Sequence, residues 1–468
     1  MQNTFDLAVI GAGPAGIVGA TTAAFTGARV ALIDRHGDLG GAGANTGTVP
    51  SKTLRETALA LTGTRSRELY GVDLSLRREA TIADLMRRER AVKEALNRTL
   101  SERVAESATE VIVGDAHFQD DHTIAVRDSS GLQVLSADRI LIATGSSPNR
   151  PDSFPFDAPG IYDSDTILEL NRIPRSLAVV GAGAVGSEYA CTFGALGSEV
   201  HLIDGRATLL PFLDSEVSQA LTSVMSANGT ALHLNERVAQ CRPDASGVEL
   251  TMKSGRVVRT EALLVAAGRI SNTAGLNLAA AGLAAEQRGE LKVDEHYRTA
   301  IRHIYAVGDV IGFPGLASTG MQQARRAMSC AFGPCAGMQG TEILPAAVYT
   351  IPEVGMAGET EQSLRAAGVD YVVGRARYDE NARGCIVGDR DGFLKLIFRH
   401  DDLRLLGVHA IGELASELVH IGLIVMAAGG GAETFSNLCF NVPTLGGLYQ
   451  DATWRLINAS QKRGSPRR

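Results

Sequence analysis

The chain has 468 residues, 45% apolar and 21% charged, with 52 glycines and a formal net charge of −7. That is long enough for about two to four domains with cores of their own, and the charge balance excludes a nucleic-acid binder built on a basic stripe, since the one basic cluster, Gln461 to Arg468, is a short tail expected to fray. No basic region precedes an apolar stretch at the N-terminus, the apolar run from Ile421 is too short to span a bilayer, and the six cysteines show neither C-x-x-C nor zinc spacing, so a cytoplasmic protein with buried structural thiols is expected, without signal peptide or membrane span.

Phe5 to Ile10 reads as a strand, Gly11-Ala-Gly-Pro-Ala-Gly16 as a turn, Ile17 to Thr26 as a small-residue helix, and Arg29 to Ile33 as a second strand ending in Asp34. Asp34 stands 18 positions after Gly16, the spacing of a dinucleotide-binding βαβ unit. The chemistry needs those residue types. Gly11 permits the tight turn, Gly13 lets the main chain approach a pyrophosphate, and Gly16 lets the helix pack on the strand. The helix N-terminus offers unpaired N–H groups, and the acid accepts from ribose hydroxyls. The stretch GGAGANTGTVPSK, Gly40 to Lys52, follows. A helix is predicted over Leu85 to Val104, with Val92, Leu96, Leu100 and Val104 on one face. Short strands then run to Ala137–Pro148.

The opening pattern recurs. Ser176 to Val180 is a strand, Gly181-Ala-Gly-Ala-Val-Gly186 a turn, a helix follows from Ser187, and Glu199 to Ile203 is a strand ending in Asp204. One such motif is weak evidence; two, each with an acid at the right distance, predict two separate dinucleotide sites. Asp204 would accept from a 2′-hydroxyl and repel a 2′-phosphate, whereas Arg206 would contact that phosphate, so NAD(H) is favoured and NADP(H) stays open. From Ile343 the segments AVYTIP, YVVGRARY and GFLKLIF read as strands and Glu413 to Ala428 as a helix, an α+β end domain. The expected fold class is α/β, with two Rossmann-like domains followed by this α+β domain. The boundaries are 1–150, completed by 275–342, for the first; 151–274 for the second; 343–460 for the third; and 461–468 for the tail.

With these motifs in this order, nearly the whole chain resembles the two-dinucleotide flavoprotein disulfide reductases, the family of lipoamide dehydrogenase, glutathione reductase and mercuric reductase. The resemblance implies an FAD-containing homodimer that also binds NAD(H) or NADP(H). It places FAD on Gly11, Gly13, Gly16, Asp34 and Lys52, on Ala143-Thr144-Gly145 of LIATGSSP, on Gly308 and Asp309 of IYAVGDV, and on Ala317. It places the nicotinamide nucleotide on Gly181, Gly183, Gly186, Glu188, Asp204, Arg206, and Gly268 and Arg269 of AAGRISNT. YTIPEVG, Tyr349 to Gly355, resembles the start of the family's dimer-interface domain. The family's GG-x-C-x4-C-x-PSK element puts its two redox cysteines on Gly43 and Thr48. Its C-terminal HPT-x-x-E element reads FNVPTLGG, with Val442 at the histidine and Gly447 at the glutamate. The dithiol machinery is therefore missing. Among the branches the chain most resembles the soluble pyridine nucleotide transhydrogenases, which share the threonine, the phrase YTIPE and a run similar to ASELVHIG, though that branch usually keeps the first cysteine and the terminal glutamate.

The implied activity is hydride passage from NAD(P)H to flavin and on to a second nicotinamide nucleotide, with Lys52, paired with Glu188, beside the flavin. An alternative is an NAD(P)H dehydrogenase with a quinone-like or other small organic acceptor, in room left by Gly43 and Thr48. A third is a non-catalytic flavoprotein subunit, against which the intact Lys52 and Glu188 argue. Cys439 is expected to be a buried interface thiol, and Cys330 and Cys335 are not expected to pair. His409 and His420 read as core or interface residues, and no metal is expected.

Overall fold

The computed structural model describes residues 4–62, 81–334 and 343–464. Cys335 and the tail from Ser465 lie outside the described residues.

Strand β1 (Thr4–Ile10) begins the first sheet. It is followed by α1 (Pro14–Ala24), β2 (Val30–Asp34), α2 (Gly41–Asn45), α3 (Thr48–Thr62), α4 (Ile82–Glu106), β3 (Glu110–Val113), β4 (Asp115–Phe118), β5 (Thr123–Asp128) and β6 (Gly131–Ile142). The strands order β3-β2-β1-β6-β5-β4, parallel from β3 to β6 and antiparallel beyond. Leu7, Ala8 and Val9 are fully buried, as a central parallel strand covered on both faces must be. Helix α1 starts at Pro14, where the missing N–H costs nothing, so it includes Gly16 rather than following it as the sequence suggested. A Cβ on Gly19 would stand 2.3 Å from Leu141 Cδ2, which is how closely α1 lies on the sheet. Helix α4 opens on a Thr81–Asp84 capping box and runs beyond its expected ends. Of its predicted stripe only Val104 is buried; Val92, Leu96 and Leu100 are half-buried.

The second unit has β7 (Ser146–Pro148), β8 (Ile161–Tyr162), β9 (Ser176–Val180), α5 (Ala184–Ala195), β10 (Glu199–Asp204), α6 (Ser215–Ala227), β11 (Ala231–Leu234), β12 (Val238–Asp244), β13 (Gly247–Met252), β14 (Val257–Thr260), β15 (Ala262–Val265) and β16 (Arg269–Ser271). Its parallel sheet orders β11-β10-β9-β15-β8, and β12-β13-β14 forms a separate antiparallel sheet. Strands β7 and β16 pair with each other between the two large sheets. The chain then returns: β17 (Ile304–Ala306) lies parallel beside β6 in the first sheet, and α7 (Ala317–Phe332) packs on α1.

The last unit is a five-stranded antiparallel sheet, built from β18 (Ala346–Val348), β19 (Val354–Gly358), α8 (Glu361–Ala367), β20 (Tyr371–Arg377), α9 (Ala382–Val387), β21 (Phe393–Arg399), β22 (Leu405–Ile411), α10 (Ala415–Ala427), α11 (Ala432–Asn437) and α12 (Gly447–Gly464). The strands order β18-β19-β22-β21-β20, under α10 and α12. Helix α12 runs to Gly464, so Gln461–Gly464 continue it rather than fray. This unit is tied to the second by a buried cation. Lys395 on β21 is fully buried, and its Nζ donates to Asp214 at 2.6 Å, to Glu216 at 2.9 Å and to Glu361. Asp214 caps α6 and also accepts from the Glu361 backbone N–H at 3.1 Å.

Candidate active site

A cavity of about 1150 Å³ lies where the three units meet. Its floor is the turn between β1 and α1. Gly11 has φ +103°, and a Cβ there would stand 2.4 Å from Ala143 O; a Cβ on Gly16 would stand 1.8 Å from Gly11 O. Gly13, by contrast, has nothing within 4 Å of its Cβ position and lines the cavity. The turn is therefore closed where it packs and open where a phosphate would approach. No side chain caps α1, so its N-terminal N–H groups remain for a ligand. Asp34 lines the cavity, accepting from Ala12 N at 2.6 Å and His36 N at 2.9 Å.

The other residues expected to hold FAD line the same cavity. Ala143, Thr144 and Gly145 form one edge, and Thr144 Oγ1 is buried with no hydrogen-bond partner among the described residues. Gly308 donates its N–H to Gln323 at 2.8 Å, and Asp309 accepts from Ser146 Oγ at 2.7 Å. Ala317 opens α7, a second helix whose N-terminus has no side-chain cap. Two open helix N-termini, an open glycine and an orphaned hydroxyl fit the pyrophosphate and hydroxyls of FAD.

The second glycine turn repeats the first. Gly181 has φ +104°, its Cβ would stand 2.3 Å from Ala266 O, and that of Gly186 would stand 1.8 Å from Gly181 O, while Gly183 is open. Helix α5 starts at Ala184, not Ser187, again enclosing the last glycine, and Ser187 Oγ is buried without a partner among the described residues. Asp204 accepts from Ala182 N at 2.7 Å, as Asp34 does from Ala12. Arg206 does not oppose Asp204 but clasps it, through Nε at 2.8 Å and Nη2 at 2.6 Å. Burial works to raise the Asp204 carboxyl, and the hydrogen bonds from Arg206 and Ala182 outweigh it, holding the group below its ordinary range. Gly268 sits at φ +90°. Arg269, expected on the nicotinamide side, lines the cavity together with Ala184 and Glu188 of α5: it donates to Ser146 Oγ at 2.7 Å and Ser146 O at 2.6 Å, and stands 4.0 Å from Asp309.

The two turns converge at Glu188. It lies on α5, two residues after Gly186, and its Oε2 accepts from Lys52 Nζ at 2.6 Å. Its Oε1 accepts from the Tyr349 backbone N–H at 2.9 Å, and Lys52 Nζ sits 5.0 Å over the Tyr349 ring. All three residues line the cavity. One turn along α3, Arg55 is buried; it donates to Thr350 O at 2.9 Å and stands 3.7 Å from Glu353, which accepts from Ser416 N at 3.1 Å. These supports escaped the sequence reading, where Tyr349 and Glu353 marked only a domain start. Asp165 escaped it too: it lines the cavity, its Oδ1 is buried without a partner among the described residues, and burial raises its carboxyl above the ordinary value.

Gly43 and Thr48 line the cavity, and no cysteine does among the described residues. A Cβ at Gly43 would stand 2.6 Å from Pro14 Cγ, so a side chain there would meet Pro14. Cys191 is buried, its thiol pushed up to about 12 by burial, and Cys241 is pushed up to about 11 for the same reason. Cys385 and Cys439 are exposed, so buried thiols are not the rule, and Cys439 is not buried by its own chain. Cys330, expected to be unpaired, is disulfide-bonded, near the far end of α7 from the cavity. Val442 is exposed and Gly447 begins α12; neither lines the cavity. His409 is buried, with Nε2 2.8 Å from Glu359 O, whereas His420 is exposed and lines the cavity wall rather than the core.

A family model described as pyridine nucleotide-disulphide oxidoreductase matches residues 5–329, and the dimerisation-domain model of that family matches 344–453. The chain is 42% identical over 457 residues to a soluble pyridine nucleotide transhydrogenase of Mycobacterium tuberculosis, covering 97% of each. It is 40% identical over 460 residues to that of Chromohalobacter salexigens, covering 97% of this chain and 99% of the relative. Among solved structures it is similar to the Cu(II) complex of the HOCl-induced flavoprotein disulfide reductase RclA from Escherichia coli, with a TM-score of 0.89 and 26% identity over 97% of this chain and 100% of the other. LpdA from Mycobacterium tuberculosis gives 0.89 and 27% over 96% and 99%.

Proposed function

The chain belongs to the pyridine nucleotide-disulphide oxidoreductase family, and on that premise we propose that it exchanges hydride between nicotinamide nucleotides through FAD, without a redox disulfide. It is an FAD-dependent NAD(P)(H) oxidoreductase with a dimerisation domain. The observation that carries the finer reading is the Lys52–Glu188 pair in a cavity lined by no cysteine among the described residues.

When bound, FAD supplies a ring that takes a hydride from one reduced nicotinamide and yields it to the next oxidant. In this proposal Gly11, Gly13, Gly16, Asp34, Ala143 to Gly145, Gly308, Asp309 and Ala317 hold FAD. Gly181, Gly183, Gly186, Asp204 and Arg206 hold the nucleotide. Lys52 places a positive charge where negative charge develops, and Glu188 fixes its position. With no dithiol to relay electrons, the second nucleotide takes the cradle the first has left. We divide the chain as 1–150 with 275–342 for FAD, 151–274 for NAD(P) and 343–460 for pairing into a homodimer. The description of the relatives as soluble supports a cytoplasmic location.

Anaerobic reduction by NADPH followed by thio-NAD⁺ tests the proposal. Rapid reoxidation, with parallel lines in steady-state double-reciprocal plots, is expected. Reoxidation by a quinone but by no nicotinamide nucleotide overturns it.

A further inference from the structure

An exchange between NAD(H) and NADP(H) at a single cradle needs a ribose pocket that accepts both a 2′-hydroxyl and a 2′-phosphate. One acid selects the first and one arginine the second. Here the acid and the arginine are hydrogen-bonded to each other. An ionised carboxylate has about four acceptor positions. On Asp204 all are taken: Oδ1 accepts from Arg206 N at 2.8 Å and Arg206 Nε at 2.8 Å, and Oδ2 from Ala182 N at 2.7 Å and Arg206 Nη2 at 2.6 Å. The two backbone donors belong to the fixed turns. The two guanidinium donors fall one on each oxygen, the same pattern that the vicinal 2′- and 3′-hydroxyls of a ribose present.

We propose that Asp204 and Arg206 form a two-state ribose receptor that lets the second cradle bind both NAD(H) and NADP(H). This rests on the exchange function proposed above. In the open state the guanidinium leaves and the ribose diol replaces it on the carboxylate. The exposures suit that movement, since the Asp204 side chain is 8% exposed and that of Arg206 is 47%. In the closed state the guanidinium stays, cancels the carboxylate charge, and offers its remaining N–H donors to a 2′-phosphate. Gly205 between them admits a second cation alongside, for a Cβ there would stand 2.6 Å from Arg237 Nε. Opening breaks a charge-assisted pair and closing breaks none, so the resting arrangement is the one that receives the phosphate.

Calorimetric titration of the FAD-loaded enzyme with NAD⁺ and NADP⁺, and with 5′-AMP and adenosine 2′,5′-bisphosphate, reads the receptor without turnover. Arg206→Ala is expected to weaken NADP⁺ and the bisphosphate about tenfold or more, while NAD⁺ and 5′-AMP hold or tighten. Asp204→Asn is expected to weaken NAD⁺ by a similar factor and leave NADP⁺ bound. Equal weakening of both nucleotides by Arg206→Ala, or no change in either, overturns the receptor. A split of affinities without transhydrogenation keeps the receptor and sinks the proposed function; transhydrogenation without the split does the reverse. Unchanged FAD content in both variants guards against misfolding as the cause.

Discussion

Lys52 Nζ and Glu188 Oε2 are 2.6 Å apart although 136 residues separate them in the chain. Glu188 is buried, and its other oxygen is occupied by Tyr349 N, so the carboxylate has one orientation and the ammonium one resting place.

Replacing Glu188 with glutamine keeps an acceptor for Tyr349 N and removes the charge that holds Lys52. Flavin reduction by NADH is expected to slow about tenfold to a hundredfold, with FAD content unchanged. Anaerobic stopped-flow at the flavin band reads both. Lys52→Met should match it, because the two side chains act as a unit.

Gly16→Ala should yield colourless protein. Its Cβ would stand 1.8 Å from Gly11 O, a backbone atom that cannot yield without unmaking the turn. Such overpacking costs about 1–3 kcal/mol or more at the turn itself. The ratio of flavin to protein absorbance is the measurement.

No cysteine lines the cavity among the described residues, so one two-electron equivalent of dithionite per FAD should bleach the flavin completely under anaerobic conditions. A redox-active pair in the cavity would consume a second equivalent. Iodoacetamide should label the exposed Cys385 and leave the rate of flavin reduction unchanged.

Both nucleotide turns were legible because glycine spacing and a distant acid encode backbone contacts that no other residues satisfy. The three extra residues at the start of α1 and α5, nearly a full turn, were not, since the last glycine reads as turn material until Ala184 or Pro14 is seen to start the helix. Lys52 and Glu188 were legible through their places in motifs. Their third partner was not, because Tyr349 acts through its backbone N–H, which any residue type supplies. Asp204 and Arg206 were each found, but sequence spacing gave them opposite roles where folding joins them. That Pro14 lies against Gly43 was not legible, because a neighbour in space is not announced by the glycine's own position.

Lys395 is fully buried among three carboxylates, and Lys395→Met would leave the buried Asp214 without a cation, while Glu216 keeps Arg375 and Glu361 keeps Arg365. A loss of about 3–5 kcal/mol at neutral pH is expected, read by urea unfolding. Burial works to raise Asp214, but Lys395 and the Glu361 N–H outweigh it and hold the carboxyl below its ordinary value. The stability it contributes is present above the ordinary carboxylate range and is lost as pH falls through the depressed folded value. Burial likewise works to lower Lys395, and its three carboxylates raise it, so its contribution persists at neutral pH and fades as pH rises past the ordinary lysine range. In Lys395→Met the buried Asp214, left without its cation, takes up a proton readily, so the deficit against the parent should shrink as pH falls from 7 toward about 4.

Helix α5 begins at the second glycine turn and carries Glu188 in its first turns. The carboxylate therefore moves with that helix as one piece. A shift of about 1 Å would stretch the 2.6 Å contact past hydrogen-bonding range and set the lysine loose. The seat of the second glycine turn and the anchor of Lys52 are thus mounted on one helix, with no sulfur between them.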